Sequence, residues 1–600
     1  MFGYNSSTLN RSLRPATIQR DSNVIAEFED FLDSMGLLEI DNADFRSTDK
    51  LLNFATGFVA PVDVNIDKVL EVGEKILIEM SGQPVTQWKF TKANCVRQMP
   101  LKAKALVQHS KSDKKKGQID TSLCLQRITL KYSTVEEALC YELSSLPPAL
   151  FSEDGFMRDS GKAKRARDLC NKWGVVVDSV HAVSIVFDGG MLLNHLRKGW
   201  KRGDTFLSYA EQVVHHISNA ATEDETKISV VMDGYSGVTT KMHIQSKRNP
   251  VKSLEIKATK EMTLQTTPEI FTSHPANKQR LVDIVAEAIN QSPLSNLEAR
   301  KADGDADTKI VMTGVELASA GACVIRADDS DILFLCIAQP NTENLFVKRS
   351  GLIYDINKTK KNMPPELAQY ILVLHGLFGS DTTSGFYKRH SIFSTNWAHL
   401  TGQLQVFLDT NSTKEQIQAA GQALVAHRYK CKTPLNLARN KLYREKCSKK
   451  TTKKEVNLAT LPPTEDACNL HSLRAYHQIQ EWMGHVLPPL EFGWQMINGE
   501  YHPLPTTQDP APKSLIDIPQ CGCAKSKCSN KQCHCKAKGI FCTDVCTCVG
   551  CENRQEETQQ EGSLQDPNDS LLDSATEDEG EDEEEDDSED DVYGDDYDSD

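Results

Sequence analysis

Two short apolar runs, AVSIVFDGG (residues 182–190) and KISVVMDGYSG (227–237), both lead into Asp-Gly, and a helical stretch, SYAEQVVHHIS, lies between them. Strand, helix, strand with near-continuous apolar strands is the pattern of a parallel α/β sheet, where ligands gather at the carboxyl ends of the strands. Asp188 and Asp233 stand at those ends. Two later stretches, VIRADDSDILFLCI (324–337) and YILVLHGLFGSDTTSG (370–385), read as repeats of the arrangement, an apolar strand accompanied by Asp329 and Asp331 in one case and followed by Asp381 in the other. ADGDADTKIVMTGVELASAGACV (302–324) reads as a helix that opens with Asp305 and Asp307, where the helix dipole also favours negative charge.

RADDSDILFL (326–335) crowds three carboxylates into four positions beside Ile332, Leu333, Phe334 and Leu335. Neighbouring carboxylates raise one another's pKa unless a cation sits between them. For that cluster taken alone, a solvated turn before a strand is the simpler reading. Seven anions on one rim, Asp188, Asp233, Asp305, Asp307, Asp329, Asp331 and Asp381, are harder to explain as solubilising strand ends. Mg²⁺ or Mn²⁺ takes such hard oxygen ligands, and a pair of ions ~3.5–4 Å apart can serve phosphodiester cleavage.

At VFDGG, VMDGY, GDADT, ADDSDIL and FGSDTTSG the chain resembles the flap-endonuclease and PIN-like nuclease superfamily, over about residues 175–400. The resemblance implies a parallel-sheet α/β nuclease-like domain with Mg²⁺ or Mn²⁺ held by the seven aspartates as catalytic residues. It also implies basic substrate-binding residues, for which Lys241, Lys247, Arg248, Lys388 and Arg389 are candidates, with ordinary surface charge as the bland alternative for each. Two departures stand out. The acidic pair is Asp-Ala-Asp where the family more usually has Glu-Ala-Glu, and TTSGFYKRHSIF after Asp381 lacks the Gly-x-Gly of the helix-hairpin that grips duplex DNA.

Nine of the 18 cysteines fall within 31 residues: Cys521, Cys523, Cys528, Cys533, Cys535, Cys542, Cys546, Cys548 and Cys551. An odd number in a reducing compartment speaks for metal and against disulfides. Three tetrahedral zincs need twelve sulfur bonds, which nine thiolates furnish if three of them bridge. Lys525, Lys527, Lys531, Lys536 and Lys538 would offset the remaining negative charge, and so short an apolar-poor segment would fold only on binding metal. The spacing resembles the CXC domain of tesmin and TSO1-like proteins. That family binds DNA, in two-repeat members through a tyrosine just ahead of a cysteine; here Gln532 stands at that point and there is one repeat. The lysines and Arg554 could still contact phosphates without reading bases.

The 17 carboxylates of residues 576–600 exceed the whole net charge of −16, which leaves +1 on the rest of the 600-residue chain. Such a block reads as a disordered acidic tail that could contact histones or chromatin. The expected division is 1–20 disordered, 21–170 a helical accessory region with helices near 22–38, 65–80 and 135–146, 175–430 the α/β domain, 431–515 a linker with a helix, 516–555 the zinc module and 556–600 the tail. No apolar stretch approaches the ~18 residues of a membrane span, and MFGYNSSTLNRSLRP lacks a signal-peptide core. KSDKKK (111–116) and KKTTKK (449–454) are candidate nuclear import signals. The linker and YELSSLPPALFSEDG look like text common in proteins of mobile-element origin. Two functions compete: a metal-dependent nuclease anchored on nucleic acid, DNA more than RNA, by the zinc module, or an inactive PIN-like protein that binds DNA or chromatin through that module.

Overall fold

The computed structural model describes residues 138–511 apart from 153, 220–225, 235–238, 242–250, 253, 389–391, 433, 450–455, 498 and the side chains of 251–252, together with parts of 19–109 and of 521–553. The chain divides into two units, Met1–Ile518 and Pro519–Asp600. The first is built on seven strands: Val176–Val177 (β1), Ser184–Asp188 (β2), Lys227–Met232 (β3), Leu297–Lys301 (β4), Cys323–Arg326 (β5), Leu345–Arg349 (β6) and Leu352–Asp355 (β7). Their order across the sheet is β1-β7-β6-β5-β2-β3-β4. Strands β6, β5, β2, β3 and β4 run parallel, and β7 and β1 pair antiparallel at one side.

The helices that frame the sheet are Lys162–Trp173 (α1), Gly189–His195 (α2), Phe206–Ser218 (α3), Pro275–Asn290 (α4), Asp307–Ala318 (α5), Ser330–Ala338 (α6), Pro365–Leu377 (α7), Lys414–Arg428 (α8) and Glu465–Trp482 (α9). Successive strand residues point to opposite faces, and both faces are apolar. Ile185, Phe187, Val230 and Met232 pack with Val213 and Ile217 of α3 and Val285 and Ile289 of α4. Val186, Val231 and Ile325 pack into a second cluster with α5, α6, α7 and α9.

Three expectations are corrected. Residues 330–338 and 365–377 are helices, not strands. Both are buried nearly all round, and an apolar run of that kind shows no period by which to tell a strand from a core helix. Residues 431–515 are not a linker: Ala467, Leu473, Tyr476, Ile479 and Trp482 of α9, with Trp494, lie in the main core. The polar composition of α9 hid this. His471 bonds the Leu377 carbonyl at 2.7 Å, Arg474 Nη1 donates to the Gly493 and Leu504 carbonyls at 3.1 and 2.7 Å, and Gln480 donates to the Phe407 carbonyl at 2.9 Å, so buried polar groups find backbone partners.

The accessory region also ends earlier than expected, because Leu150, Phe151, Met157 and, from α1, Ala166 and Leu169 belong to the main core. A 3-10 turn and a helix occupy Ile66–Lys68 and Val69–Met80, near the expected 65–80. Of the 22–38 helix, residues 22–27 are helical and the rest lie outside the described residues. Within 138–146, only Ala138 is helical and turns and bends follow. Residues 1–18, the tail 556–600, KSDKKK and all of KKTTKK after Lys449 lie outside the described residues. In the second unit the cysteines form their own buried cluster. Among the described residues, no helix is long and apolar enough to cross a membrane.

Candidate active site

Asp188 closes β2 and caps α2, its Oδ1 accepting from Gly190 N at 2.8 Å and Met191 N at 3.2 Å. The glycines after it are required by close approach. A Cβ on Gly189 would meet Met232 Sδ at 2.3 Å, and one on Gly190 would lie 3.2 Å from Asp188 Oδ1 and 3.6 Å from Asp233 Oδ2. Asp233 follows β3, and its Oδ1 accepts from Ala306 N at 3.0 Å, tying the β3 end to the segment that carries Asp305 and Asp307. Asp329 follows β5 and caps α6, accepting from Asp331 N at 2.9 Å. The chain passes from β2 to β3 on one side and returns at β5 on the other, so Asp188 and Asp329 flank the topological switch point of the sheet.

Two ammonium groups stand among these carboxylates. Lys162 Nζ, from the first residue of α1, lies 2.9 Å from Asp329 Oδ1, 3.2 Å from Asp331 Oδ1 and 2.9 Å from Asp381 Oδ1. Lys241 Nζ lies 2.6 Å from Asp305 Oδ2 and 2.8 Å from Asp307 Oδ2. Burial alone would lower both lysine pKa values, but the surrounding aspartates hold them above the ordinary range. Burial pushes Asp188 up to about 7, with Asp233 and Asp329 adding to the rise. Burial also raises Asp307, opposed by Lys241. Asp331 goes the other way: burial acts to raise it, and Lys162 and His375 together pull it well below the usual carboxylate range. Lys278, whose charge is felt by Asp233 and Asp188, is lowered by burial.

Asp331 is fully buried, and its Oδ2 has no hydrogen-bond partner. An acceptor left bare there is costly unless a cation or donor faces it. Gly190 puts no side chain between Asp188 and Asp233, and the donor set is all carboxylate oxygen, so the residues fit a hard divalent ion. Yet among the described residues, groups of three or more ligating atoms all within 4.8 Å of one another occur only at cysteines. The carboxylates are spaced to the N–H···O distances of Lys162 and Lys241.

All seven predicted aspartates thus meet in one electrostatic network drawn from five segments. Of the predicted basic residues, Lys241 joins them. Lys388 lies beyond Asp381 with its ammonium 5.9 Å from the Tyr387 ring. Lys247, Arg248 and Arg389 lie outside the described residues. Sequence reasoning missed Lys162, Arg165 and His375. The signal for the first two was the basic run GKAKRAR just ahead of the sheet; His375, inside an apolar helix, left none.

The loop that carries Asp381 is held by its hydroxyls. Ser380 N donates to Thr383 Oγ1 at 2.8 Å, Thr383 Oγ1 to the Gly376 carbonyl at 2.6 Å, and Thr382 Oγ1 pairs with Gln478 Oε1 of α9. Arg165 donates to the Phe378 and Gly379 carbonyls. TTSG is therefore a buried anchor, bent at Thr382 and Thr383 and irregular at Ser384 and Gly385.

In the second unit, three overlapping groups of four cysteines have their sulfurs within ligand reach: Cys521, Cys533, Cys535 and Cys542; Cys521, Cys528, Cys542 and Cys548; Cys521, Cys523, Cys528 and Cys533. Cys521 belongs to all three groups and Cys528, Cys533 and Cys542 to two each, so sulfurs are shared between groups, while Cys546 and Cys551 fall in none of them.

Residues 518–555 match the Tesmin/TSO1-like CXC domain, cysteine-rich domain family, and residues 2–142 match a domain of unknown function (DUF8702). No curated protein matches. Among solved structures, the catalytic core of Rad2 in complex with DNA substrate is 14% identical at a TM-score of 0.26, covering 53% of this chain and 94% of that one. A bacteriophage T5 flap endonuclease, in a pseudo-enzyme-product complex with DNA and metal ions, is 11% identical at a TM-score of 0.25, covering 50% of this chain and 99% of that one.

Proposed function

We propose that the α/β unit is a divalent-metal-dependent nuclease and that the cysteine-rich module, holding three zincs, anchors it on nucleic acid, DNA more than RNA. The observation that carries the reading is the convergence of seven aspartates from five segments around the switch point of the sheet. Asp188, Asp233 and their neighbours on the rim would hold Mg²⁺ or Mn²⁺. The ion would supply polarisation of a phosphoryl oxygen and an acidified water.

The protein's own groups do the remainder. His375 fixes the orientation of Asp331. Lys241 stands beside Asp305 and Asp307, able to turn toward a phosphate. Residence in the nucleus and a histone contact through the acidic tail complete the proposal.

Purified chain incubated with labelled single-stranded, duplex and branched DNA and RNA tests it, with Mn²⁺ and with chelator. Cleavage that requires the ion and is lost in Asp329→Asn/Asp331→Asn, with binding kept, is the expected result. One observation favours the rival, a nuclease-like protein that only binds: Lys162 and Lys241 already satisfy five of the seven aspartates. Binding without cleavage of any substrate supports it.

A further inference from the structure

We propose that Lys162 is a built-in cation that fills the Asp329–Asp331–Asp381 end of the rim, so that the site holds one exchangeable divalent ion, at the Asp188–Asp233 end, and not two. The inference rests on the metal-dependent reading of this site.

An ammonium has three N–H donors, and Lys162 Nζ meets three carboxylates from two segments at 2.9, 3.2 and 2.9 Å. All three contacts go to one anionic cluster, that to Asp329 as a hydrogen bond. Lys241, by contrast, meets two. A divalent ion such as Mg²⁺ draws its oxygens in to ~2.0–2.1 Å, so it could enter the Lys162 end only if that ammonium left.

The backbone opposes its leaving. Lys162 follows Gly161, which takes a left-handed conformation (φ +60°) and donates from its N to Asp159 Oδ1 at 3.0 Å. Three residues on, Arg165 is buried and bound to the Phe378 and Gly379 carbonyls, next to Asp381. Gly385 packs so close to Asp159 that a Cβ there would lie 2.1 Å from the Asp159 carbonyl oxygen. The segments that carry Lys162 and Asp381 are thereby locked to each other. At the Asp188–Asp233 end the cation felt is Lys278, whose pKa burial lowers where that of Lys162 is raised, and Gly190 adds no side chain there.

The test is a Mn²⁺ titration of the zinc-loaded full chain, counting bound ions by the loss of the free Mn²⁺ electron paramagnetic resonance signal. Wild type should bind one ion, Lys162→Met two, and Lys162→Arg one. The apo Lys162→Met protein should melt lower than wild type and recover with Mn²⁺. Two ions in wild type would overturn the proposal and leave the nuclease reading intact. So would one ion in both wild type and Lys162→Met, or two in Lys162→Arg. No Mn²⁺ bound by any of the three removes the metal reading together with this inference. If Lys162→Met does not fold even with Mn²⁺, the wild-type and Lys162→Arg counts decide: one ion in each upholds the proposal, and two in either overturns it.

Discussion

His375 Nε2 lies 3.0 Å from Asp331 Oδ1, and both side chains are shut off from solvent. The ring stacks on Phe334 (centroids 4.1 Å apart) and on Trp482 (5.5 Å), so α9 backs Asp331 through this imidazole, while Gln478 and Glu481 connect it to the rim elsewhere. Burial keeps this histidine below its ordinary pKa; a neutral ring donates from Nε2 to the carboxylate.

His375→Ala should therefore act on both stability and metal. The variant leaves Asp331 short of a donor and opens a gap between Phe334 and Trp482, costing on the order of 3 kcal/mol. In the Lys162→Met background, where Asp331 is open to ligate, affinity for the second Mn²⁺ should fall about 10- to 100-fold, as for other partners that orient a ligating group. Denaturant unfolding with and without Mn²⁺ measures both. An unchanged affinity would mean that the pair serves folding alone.

Gly385→Ala is expected to loosen the rim from a distance. Its Cβ would collide with the Asp159 carbonyl oxygen, a backbone atom that cannot turn aside. The cost should be about 1–3 kcal/mol. Because Gly161, Lys162 and Asp381 hang on that contact, the Lys162 end should loosen and admit a second Mn²⁺ as well. Gly351→Ala, at an open turn with φ +79°, serves as the control for backbone strain without a collision and should leave Mn²⁺ binding unchanged.

Acid sensitivity should come in part from His471, far along α9. Burial holds its pKa down to about 3, against an ordinary 6.5, and its Nε2 bonds the Leu377 carbonyl. Between those two values the unfolded chain binds a proton that the folded one does not, so stability falls as pH drops below 6.5. The slope should be about 1.4 kcal/mol per pH unit for this one group. His471→Gln should be less stable at about pH 8 and lose stability less steeply in acid, as urea titrations at several pH values would register.

Removing zinc should unfold the cysteine module and leave the α/β unit's transition in place, since Met1–Ile518 and Pro519–Asp600 are separate compact units. Metal analysis should find three zincs per chain before treatment. Calorimetry after a strong chelator should keep the main transition within a degree or two and abolish DNA retention.

What could be read in advance followed from local chemistry. VFDGG and VMDGY announce strand ends because continuous apolar runs must stop where Asp-Gly forces a turn, and nine closely spaced cysteines announce a cluster of shared thiolates without saying which are shared. The acidic positions are legible for the same reason: a carboxylate beside an apolar run has to lie at the edge of a buried element. The nature of two of those elements was not. In ILFLCI and YILVLHGL every residue is apolar or nearly so, and period, the only local signal, vanishes when all sides are buried.

The sequence determined by itself the aspartates, the cysteines and the parallel β2–β3 pair, because these depend on residue type and neighbours along the chain. Only the tertiary structure decided what neutralises the anions. Lys162 meets Asp329 across 167 residues and His375 meets Asp331 across 44. Such pairings arise from how α1, α6 and α7 pack, and no spacing along a chain encodes a contact that packing alone creates.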